Sequence, residues 1–255
     1  MSTAAKKSEQ PAYIPDREMV EEAERIRGVY ARRRRDIPSG RYALAEPFTL
    51  YSTHEREAAM VALFQKAGLS SLEGLRILDV GCGRGELLRR FMSFGAAPDL
   101  LSGVDLVDEY VEAARKLAPH LRISCGSADR LPFTDRCFDM VSQFTLLTSV
   151  LDPEMKQAIA NEMARVMKPG GWLLWYDFSY NNPRNPDVHG ICKAEIRRLF
   201  PSFSMSARRV TLAPPLGRMV APLSPLLYHV LVRLKFLCTH YICLLRKPGE
   251  DSKNE

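Results

Sequence analysis

The sequence predicts a doubly wound α/β domain, which is a mostly parallel β-sheet with helices packed on both faces. Between residues 76 and 178, short apolar runs alternate with segments of helical periodicity, and this alternation is typical of a parallel sheet. A glycine-rich turn directly follows the first apolar run. The chain has 255 residues, of which 46% are hydrophobic, so one large core can form without disulfide or metal staples.

The first 70 residues are predicted to form an extension ahead of this sheet. Residues 1–15 are polar and contain two prolines, so they are expected to be a disordered tail. Apolar side chains at three-and-four spacing predict a helix over Pro15–Arg35 and a second over about Thr53–Ala67. We expect the helices within residues 16–70 to cover the functional site.

Alternating apolar and helical segments assign the elements of the main domain, residues 71–250, in order. Strands are predicted at residues 76–80, 100–106, 121–125, 138–144, 171–178, 203–212 and 239–247. Helices are predicted at residues 86–94, 109–117 and 153–167. The last of these has the clearest start, because Asp152 can cap its first turn and Pro153 fits its first position.

The basic charge of the chain is concentrated near its C-terminus. The net charge is +6, but residues 196–249 contain nine Lys and Arg and no Asp or Glu, so the remainder has a net charge of −3. Within this stretch, residues 213–237 are apolar and Pro-rich, and we expect a helical insertion before the last strand. One interpretation is a helix pair packed on the core with its arginines directed outward. The other is a cap over the substrate pocket that contacts a lipid head group or a membrane surface.

Cysteine usage and the distribution of apolar residues indicate the compartment. The six cysteines form no Cys-x-x-Cys pair, which favours reduced thiols and disfavours structural zinc, and no metal is expected. The first residues lack the apolar stretch of a signal peptide, and no stretch approaches the about 18 apolar residues of a membrane-spanning helix. A cytoplasmic protein is therefore expected, with peripheral membrane contact as an addition and a monomer or homodimer as the assembly.

The most informative string is LDVGCGRGE, residues 78–86, at the first strand-to-helix turn. Glycines at 81, 83 and 85 allow a tight turn and let a ligand approach bare amides at a helix N-terminus. A dinucleotide fingerprint needs G-x-G-x-x-G, and Gly85 lies one position too early for it. Asp105 ends the next strand, where doubly wound folds bind ribose hydroxyls, although a helix cap is the simpler alternative. Together these features indicate a nucleoside-containing cofactor.

Four stretches between Arg76 and Phe178 together resemble class I S-adenosylmethionine-dependent methyltransferases of the small-molecule type. They are LDVGCGRGE, GVDL, GSADRLPFTDRCFDMV and RVMKPGGWLLWYDF, in the order of that family. The resemblance implies a Rossmann-like seven-stranded sheet whose last strand is antiparallel, and THYICLLRK suits that strand. It also implies S-adenosylmethionine as the cofactor, with S-adenosylhomocysteine as the product.

Four residues at the first two strand ends receive cofactor-binding roles from this resemblance. Gly81 and Gly83 would allow close approach of the methionine and ribose portions of S-adenosylmethionine. Asp79 would orient the glycine turn or contact the cofactor's amino group. Asp105 would accept hydrogen bonds from the ribose hydroxyls.

Four more cofactor-binding residues are implied at the next strand ends. Leu106 would pack on the adenine, with a plain core residue as the alternative. Asp129 would accept the adenine amino group beside Ala128, with a loop cap as the alternative. Gln143, at the end of the fourth strand, would lie near the sulfonium.

The loop after the fifth strand, SYNNPRNPDVHG, is dense in hydrogen-bonding groups. Ligands of such sheets bind outside the carboxyl ends of the strands. Four residues of the loop are therefore predicted to contact the substrate: Tyr180, Asn181, Asn182 and Arg184. A rigid Pro-Asn turn without substrate contact explains the same composition.

No motif indicates the catalytic base that a hydroxyl acceptor usually needs. Some members of the family carry a His soon after the fourth strand, but that stretch here is SQFTLLTSVLD. The candidates are His54, just before the second predicted helix, then Asp177 and His189, and each has a cap or surface role as its alternative. Transfer from a sulfonium is an in-line displacement, so the protein is expected to supply alignment and desolvation.

The favoured function is methyl transfer to a small-molecule acceptor, on a hydroxyl of a natural-product, glycan or lipid-linked intermediate. No Asn/Asp-Pro-Pro-Tyr/Phe motif follows the fourth strand, which disfavours methylation of amino groups in nucleic acid. Two alternatives stay open: an RNA methyltransferase that uses the basic C-terminal segment, and a non-catalytic S-adenosylmethionine-binding protein. A nicotinamide-dependent oxidoreductase is a further alternative, but its fingerprint is missing.

Overall fold

The computed structural model describes residues 17–182 and 185–250, which hold seven strands and eight α-helices. The strands are β1 Ile77–Val80, β2 Leu101–Asp105, β3 Arg122–Cys125, β4 Phe138–Phe144, β5 Met167–Phe178, β6 Ser204–Leu212 and β7 Cys238–Arg246. The helices are α1 Arg17–Asp36, α2 Pro47–Lys66, α3 Glu86–Ser93, α4 Asp108–Leu117, α5 Pro153–Val166, α6 Lys193–Leu199, α7 Pro214–Val220 and α8 Pro225–Leu231. The predicted tail, residues 1–15, lies outside the described residues.

All seven strands form one sheet in the order β3-β2-β1-β4-β5-β7-β6. Strands β1 to β5 pair in parallel, and β7 lies antiparallel between β5 and β6. The predicted Rossmann-like sheet with an antiparallel last strand is confirmed. The order of the strands reverses between β1 and β4, so the carboxyl ends of these two strands form the crevice in which doubly wound sheets bind ligands.

Helices bury an apolar layer on each face of the sheet. One layer joins α1, α5 and α6 to the sheet around Trp175, which is fully buried. The other joins α2, α3 and α4 around Met60 and Phe91. Every residue of β1 and β2 is buried, which explains why these strands appear in the sequence as near-continuous apolar runs rather than as alternating patterns.

α2 begins at Pro47, six residues before the predicted start at Thr53. The Glu46 side chain accepts hydrogen bonds from backbone N–H groups of the first turn and caps the helix there. The sequence analysis placed the candidate base His54 ahead of this helix. That placement is wrong, because His54 lies in the second turn of α2, where its side chain is exposed.

Two further differences from the prediction concern β5 and α6. β5 begins at Met167 rather than Gly171, because Met167 pairs with Phe138 ahead of an irregularity in the register. α6 has only seven residues, too few for a clear periodicity, and the sequence did not indicate it. Its Ile196 and Leu199 are buried against the core, so tertiary packing stabilises it.

α1 packs against the segment that follows β4. Glu22 accepts a hydrogen bond from the Leu151 backbone N–H at 2.5 Å, and Arg25 donates to the Ser149 carbonyl at 2.6 Å. Further along the helix, the Tyr30 hydroxyl lies 3.2 Å from the Ser149 hydroxyl. α1 is therefore fixed close to the carboxyl end of β4, the edge at which the sequence places the functional site.

The predicted helical insertion is present as α7 and α8, between β6 and β7. Its inner side packs on α2, where the ring of Tyr228 lies 6.3 Å from that of Phe48 and 5.4 Å from that of Tyr51. Among residues 17–182 and 185–250, no helix has the length and apolar character needed to cross a membrane.

Candidate active site

The glycine turn after β1 is held in a conformation that favours glycine. Gly81, Gly83 and Gly85 have φ angles of +74°, +54° and +74°. Residues other than glycine rarely adopt such φ angles, which explains why all three positions are glycine. The backbone N–H groups of Gly81 and Cys82 both donate to the Val104 carbonyl, at 2.8 and 3.1 Å, so the turn folds back onto the end of β2.

Asp105 connects the glycine turn to the end of β2. Its Oδ2 accepts from the Gly83 backbone N–H at 2.7 Å, and its Oδ1 accepts from the Val107 N–H at 2.9 Å. Burial raises the pKa of this carboxyl above its usual value, although these two hydrogen bonds act in the opposite direction. A carboxylate has about four acceptor sites, so two remain for hydroxyl donors.

Asp79 lies beneath the turn rather than on its surface, with 2% of its surface exposed. Its Oδ1 accepts from the Ser142 hydroxyl of β4 at 2.7 Å. Burial raises the pKa of Asp79 to about 7, and the nearby charge of Asp105 acts in the same direction. Asp79 thus joins β1 to β4 at the crevice and supports the turn from below.

Gln143 lies at the carboxyl end of β4 and is fully buried. Its Oε1 accepts from the Leu146 backbone N–H at 3.1 Å. Its Nε2 is buried and has no hydrogen-bond partner among the described residues. An unsatisfied buried donor costs about 1 to 3 kcal/mol, so this amide fits a group that accepts a hydrogen bond in the crevice.

The remaining predicted cofactor residues lie beyond the ends of β2 and β3. Leu106 and Ala128 are half-buried and pack against the core, so each retains an exposed portion. Asp129 is half-buried, and the Ser127 hydroxyl donates to its Oδ1. The loop-cap interpretation of Asp129 and an adenine contact use different oxygens of the carboxylate and are compatible.

Two of the candidate bases meet at Thr148. Asp177 is buried, and it accepts from the Thr148 hydroxyl at 2.5 Å and from the Thr148 backbone N–H at 3.2 Å. Burial raises the pKa of Asp177 to about 7. The His189 backbone N–H donates to the Thr148 carbonyl at 2.8 Å, and the His189 side chain is exposed. His54 is not part of this group.

The predicted substrate loop is closed by its own hydrogen bond. The Asn181 Oδ1 accepts from the Gly190 backbone N–H at 2.8 Å, which gives Asn181 a structural role. Tyr180 is 49% exposed, and the Arg209 guanidinium lies 5.1 Å from its ring centre and contacts its hydroxyl. Asn182 is exposed. Arg184 lies outside the described residues.

A group of side chains that no sequence motif indicates lies at the carboxyl ends of β4 and β5, beside the start of β7. The Arg56 guanidinium of α2 lies 4.9 Å from the ring centre of Tyr176 and 5.5 Å from that of Phe144. His240 stacks on Tyr176 with ring centres 5.1 Å apart and an angle of 12°. Burial and the positive charge of Arg56 lower the pKa of His240 to about 3, so the imidazole is neutral near pH 7.

Buried polar atoms without hydrogen-bond partners adjoin this aromatic group. Glu55 of α2 accepts from the Thr211 backbone N–H at 2.9 Å through Oε2, while its Oε1 has no hydrogen-bond partner and lies 3.9 Å from the Lys235 ammonium. The hydroxyl of Tyr228 is also buried without a partner. Burial raises the pKa of Glu55 to about 7. No local sequence motif indicates these positions, because their elements meet only in the folded chain.

Metal coordination finds no support in residues 17–182 and 185–250. No group of three or more His, Cys, Asp or Glu side chains there is arranged to hold an ion. The polar groups at the crevice are backbone amides, one primary amide and carboxylates that already accept hydrogen bonds from N–H groups. Such a set suits an organic ligand better than a cation.

Comparisons with known proteins agree with this geometry. Residues 77–171 match the methyltransferase domain family. The chain is 32% identical over 119 residues to the ubiquinone/menaquinone biosynthesis C-methyltransferase UbiE of Ectopseudomonas mendocina, and the aligned part covers 44% of each protein. It is 29% identical over 185 residues to a ubiquinone biosynthesis O-methyltransferase of Neisseria meningitidis serogroup C, covering 67% of this chain and 75% of that protein.

Residues 77–171 thus carry a methyltransferase domain, and the motifs within it resemble those of the class I S-adenosylmethionine-dependent methyltransferases. The fold of this methyltransferase is shared by the 1,6-didemethyltoxoflavin-N1-methyltransferase of Burkholderia thailandensis, whose structure contains S-adenosylhomocysteine. That match has a TM-score of 0.62 and covers 94% of both chains at 17% identity. The sequence motifs imply S-adenosylmethionine as the cofactor of the methyltransferase. The glycine turn and the unpaired Gln143 amide fit such a group.

Proposed function

We propose that this methyltransferase transfers the methyl group of S-adenosylmethionine to a hydroxyl group of a small-molecule acceptor, such as a natural-product, glycan or lipid-linked intermediate. One observation carries the proposal: the glycine turn, the Asp105 carboxylate and the unpaired Gln143 amide meet at the crevice between β1 and β4. Together they offer close approach to the backbone, acceptors for hydroxyls and one free amide donor. Both relatives above are named for ubiquinone biosynthesis, and one of them is an O-methyltransferase.

In this proposal the first two strand ends hold the ribose and methionine portions of the cofactor. Asp105 accepts the ribose hydroxyls with the oxygen lone pairs that Gly83 and Val107 leave free. Gly81 and Gly83 keep side chains away from the ligand. Asp79 positions the turn through its hydrogen bond with Ser142.

The ends of β2, β3 and β4 hold the rest of the cofactor in this proposal. Leu106 and Ala128 present their exposed portions to the adenine, and Asp129 accepts its amino group. The Gln143 Nε2 donates to the cofactor close to the reacting centre, which would satisfy an amide that is otherwise unpaired.

The acceptor would lie over the ends of β4 and β5, next to the aromatic group. Phe144, Tyr176 and His240 supply flat apolar surfaces, and Arg56 supplies a positive charge between them. No carboxylate pairs with Arg56 among the described residues, so its charge is available to an anionic or phenolic acceptor. The predicted substrate residues Tyr180, Asn181 and Asn182 would form the rim of this region.

The chain contributes alignment, exclusion of water and a proton acceptor. S-adenosylmethionine, when bound, supplies a methyl group activated by a sulfonium. Of the two candidate bases that contact Thr148, His189 is the one with an accessible side chain, and its backbone is fixed there. Asp177 acts through Thr148 as a positioning residue, because both of its oxygens are engaged there. His54, exposed on α2, takes no part in this scheme.

Calorimetric titration with S-adenosylmethionine and with NADH tests the cofactor site. We expect binding of the methyl donor by the wild type and about 100-fold weaker binding by Asp105→Ala, because two hydroxyl contacts to a carboxylate are lost. Asp99→Ala is the matched control, since Asp99 is an exposed acid on a neighbouring turn. Binding of NADH instead of S-adenosylmethionine would refute the proposal.

Product analysis distinguishes the acceptor atom. Purified protein, S-adenosylmethionine and a panel of phenols, catechols and hydroxylated lipids are incubated, and S-adenosylhomocysteine and the methylated product are measured. An O-methyl signal in the product supports the proposal, whereas a methyl group on a ring carbon would favour the chemistry for which the UbiE relative is named. Transfer to RNA that falls steeply with salt would support the RNA alternative.

A further inference from the structure

Large apolar side chains are exposed mainly in one short segment. Thirteen large hydrophobic residues of the described chain are exposed, and seven of them fall within residues 219–236. These seven define the outer patch: Met219, Leu223, Leu226, Leu227, Val230, Leu234 and Phe236, with exposures of 43% to 79%. Scattered exposed apolar residues are ordinary, but a cluster of this kind marks a binding surface.

The outer patch and the side of the insertion that packs on α2 are different surfaces. The inner side is already packed on α2 through Tyr228, Val220 and Phe48. Tyr228 is the one fully buried residue of α8, Leu231 is half-buried and packs on the same inner side, and the other five residues of that helix are exposed. The insertion is therefore apolar on two sides, and the fold of this chain uses only one of them.

Positive charge lies within and beside the outer patch. Arg233 and Lys235 lie within the segment and are exposed, and Arg209 of β6 donates to the Lys235 carbonyl at 3.4 Å. The Lys235 ammonium also lies 3.9 Å from Glu55. Residues 196–249 contain nine Lys and Arg and no acidic residue. Apolar side chains flanked by cations complement a bilayer with anionic headgroups, since each cation near such a surface is attracted to it. A second copy of this basic patch would lack that complementarity.

We propose that the outer patch docks on the surface of a lipid bilayer that contains anionic lipids, with its apolar side chains inserted at headgroup level. α7 and α8 have seven residues each, which is enough to lie in the interface and far less than the about 20 residues needed to cross it. The insertion rests on α2, which also carries Arg56, so docking would turn the ends of β5, β6 and β7 toward the membrane.

Vesicle flotation with the full chain tests this proposal. Vesicles of phosphatidylcholine alone are compared with vesicles of phosphatidylcholine and phosphatidylglycerol in equal parts, at low and at high salt. We expect binding to the anionic vesicles that weakens at high salt. The triple variant Leu223→Ser, Leu226→Ser and Phe236→Ser is expected to bind roughly 100-fold less.

A matched triple variant removes exposed apolar residues elsewhere. Val20→Ser, Leu117→Ser and Leu151→Ser alter side chains that are 37% to 59% exposed and distant in sequence from the insertion. This control should bind vesicles like the wild type. Because all six positions are exposed, both variants should keep the wild-type melting temperature, which thermal unfolding checks.

Three results would overturn the proposal. The wild type could fail to float with anionic vesicles at low salt. The two triple variants could lose binding equally, which would show a non-specific effect. Sedimentation could show a dimer that only the outer-patch variant converts to a monomer, which would assign the patch to a second copy of the chain. None of these measurements depends on methyl transfer, so they separate this inference from the proposed function.

Discussion

The two halves of the sheet's carboxyl edge are built in different ways. At the ends of β1 and β2, backbone groups and one carboxylate form the site, with Gly83 bound to Asp105 and two turn N–H groups bound to Val104. At the ends of β5, β6 and β7, side chains from distant elements form it, with Arg56 from α2 and His240 from β7 meeting at Tyr176.

This difference separates what the family shares from what the individual protein can vary. A turn made of backbone and glycine tolerates little change, because a side chain would alter its φ angles or its contacts. A pocket made of side chains can be altered one residue at a time. The cofactor half therefore carries the recognisable motif, and the acceptor half carries the features that would select a substrate.

A pair of glycine substitutions should separate the two halves most strongly. In Gly81→Ala, the φ of +74° costs about 1 to 2 kcal/mol, and the new Cβ would lie 3.0 Å from Leu146. In Gly217→Ala, the new Cβ would lie 2.2 Å from the Phe48 ring, so α7 must move off α2 at a cost of about 1 to 3 kcal/mol. Thermal unfolding should show a loss of stability in both variants.

Ligand binding should distinguish the two variants. S-adenosylmethionine affinity, measured by calorimetry, should fall about tenfold or more in Gly81→Ala, because the turn that presents the amides is displaced. It should stay within about twofold of wild type in Gly217→Ala, whose change lies on the acceptor side. Equal losses of affinity in both variants would show that the halves are coupled rather than separate.

Replacing Arg56 tests the acceptor half directly. Arg56→Met keeps much of the side-chain volume and removes the charge beside Phe144 and Tyr176. We expect kcat/KM for a phenolic acceptor to fall about tenfold, equivalent to a loss of about 1.4 kcal/mol, with unchanged affinity for S-adenosylmethionine. Lys66→Met, at an exposed position of the same helix, is the control. A change in cofactor affinity without a change in kcat/KM would place Arg56 in the other half.

Glu55 should be visible as a pH dependence of stability rather than as a change in ligand binding. Its pKa is raised from 4.5 to about 7 by burial, so the folded state binds the proton more tightly than the unfolded state. The free energy of unfolding should therefore be highest below pH 4.5 and fall as the pH rises to about 7, by at most about 3 kcal/mol from this group.

Glu55→Gln should remove that part of the pH dependence. Chemical denaturation of wild type and variant at pH 5 and pH 8 measures it, and Asp79 and Asp177 cancel in the comparison because both proteins contain them. The variant should gain stability relative to wild type at pH 8 and show a small difference at pH 5. Equal differences at both pH values would mean that Glu55 is not protonated in the folded state.

Local sequence patterns predicted much of the fold. Asp152 predicted the start of α5, and its side chain accepts from the Met155 backbone N–H at 2.6 Å. The start of α2 was missed, because Glu46 is a less common cap than Ser, Thr, Asp or Asn. α6 was missed because its seven residues are stabilised by packing on the core. The assigned roles of the predicted site residues stay predictions until the binding experiments are done.

By itself, the sequence determined the order of strands and helices, the glycine turn and the acid at Asp105, since these depend on residues close together in the chain. Tertiary structure alone decided that Arg56 meets Tyr176 and His240, that Gln143 keeps an unpaired amide, and that the insertion exposes a second apolar side. The reason is physical. Turns, caps and periodicity follow from local backbone preferences, whereas burial and side-chain contact between remote elements exist only once the sheet has brought those elements together.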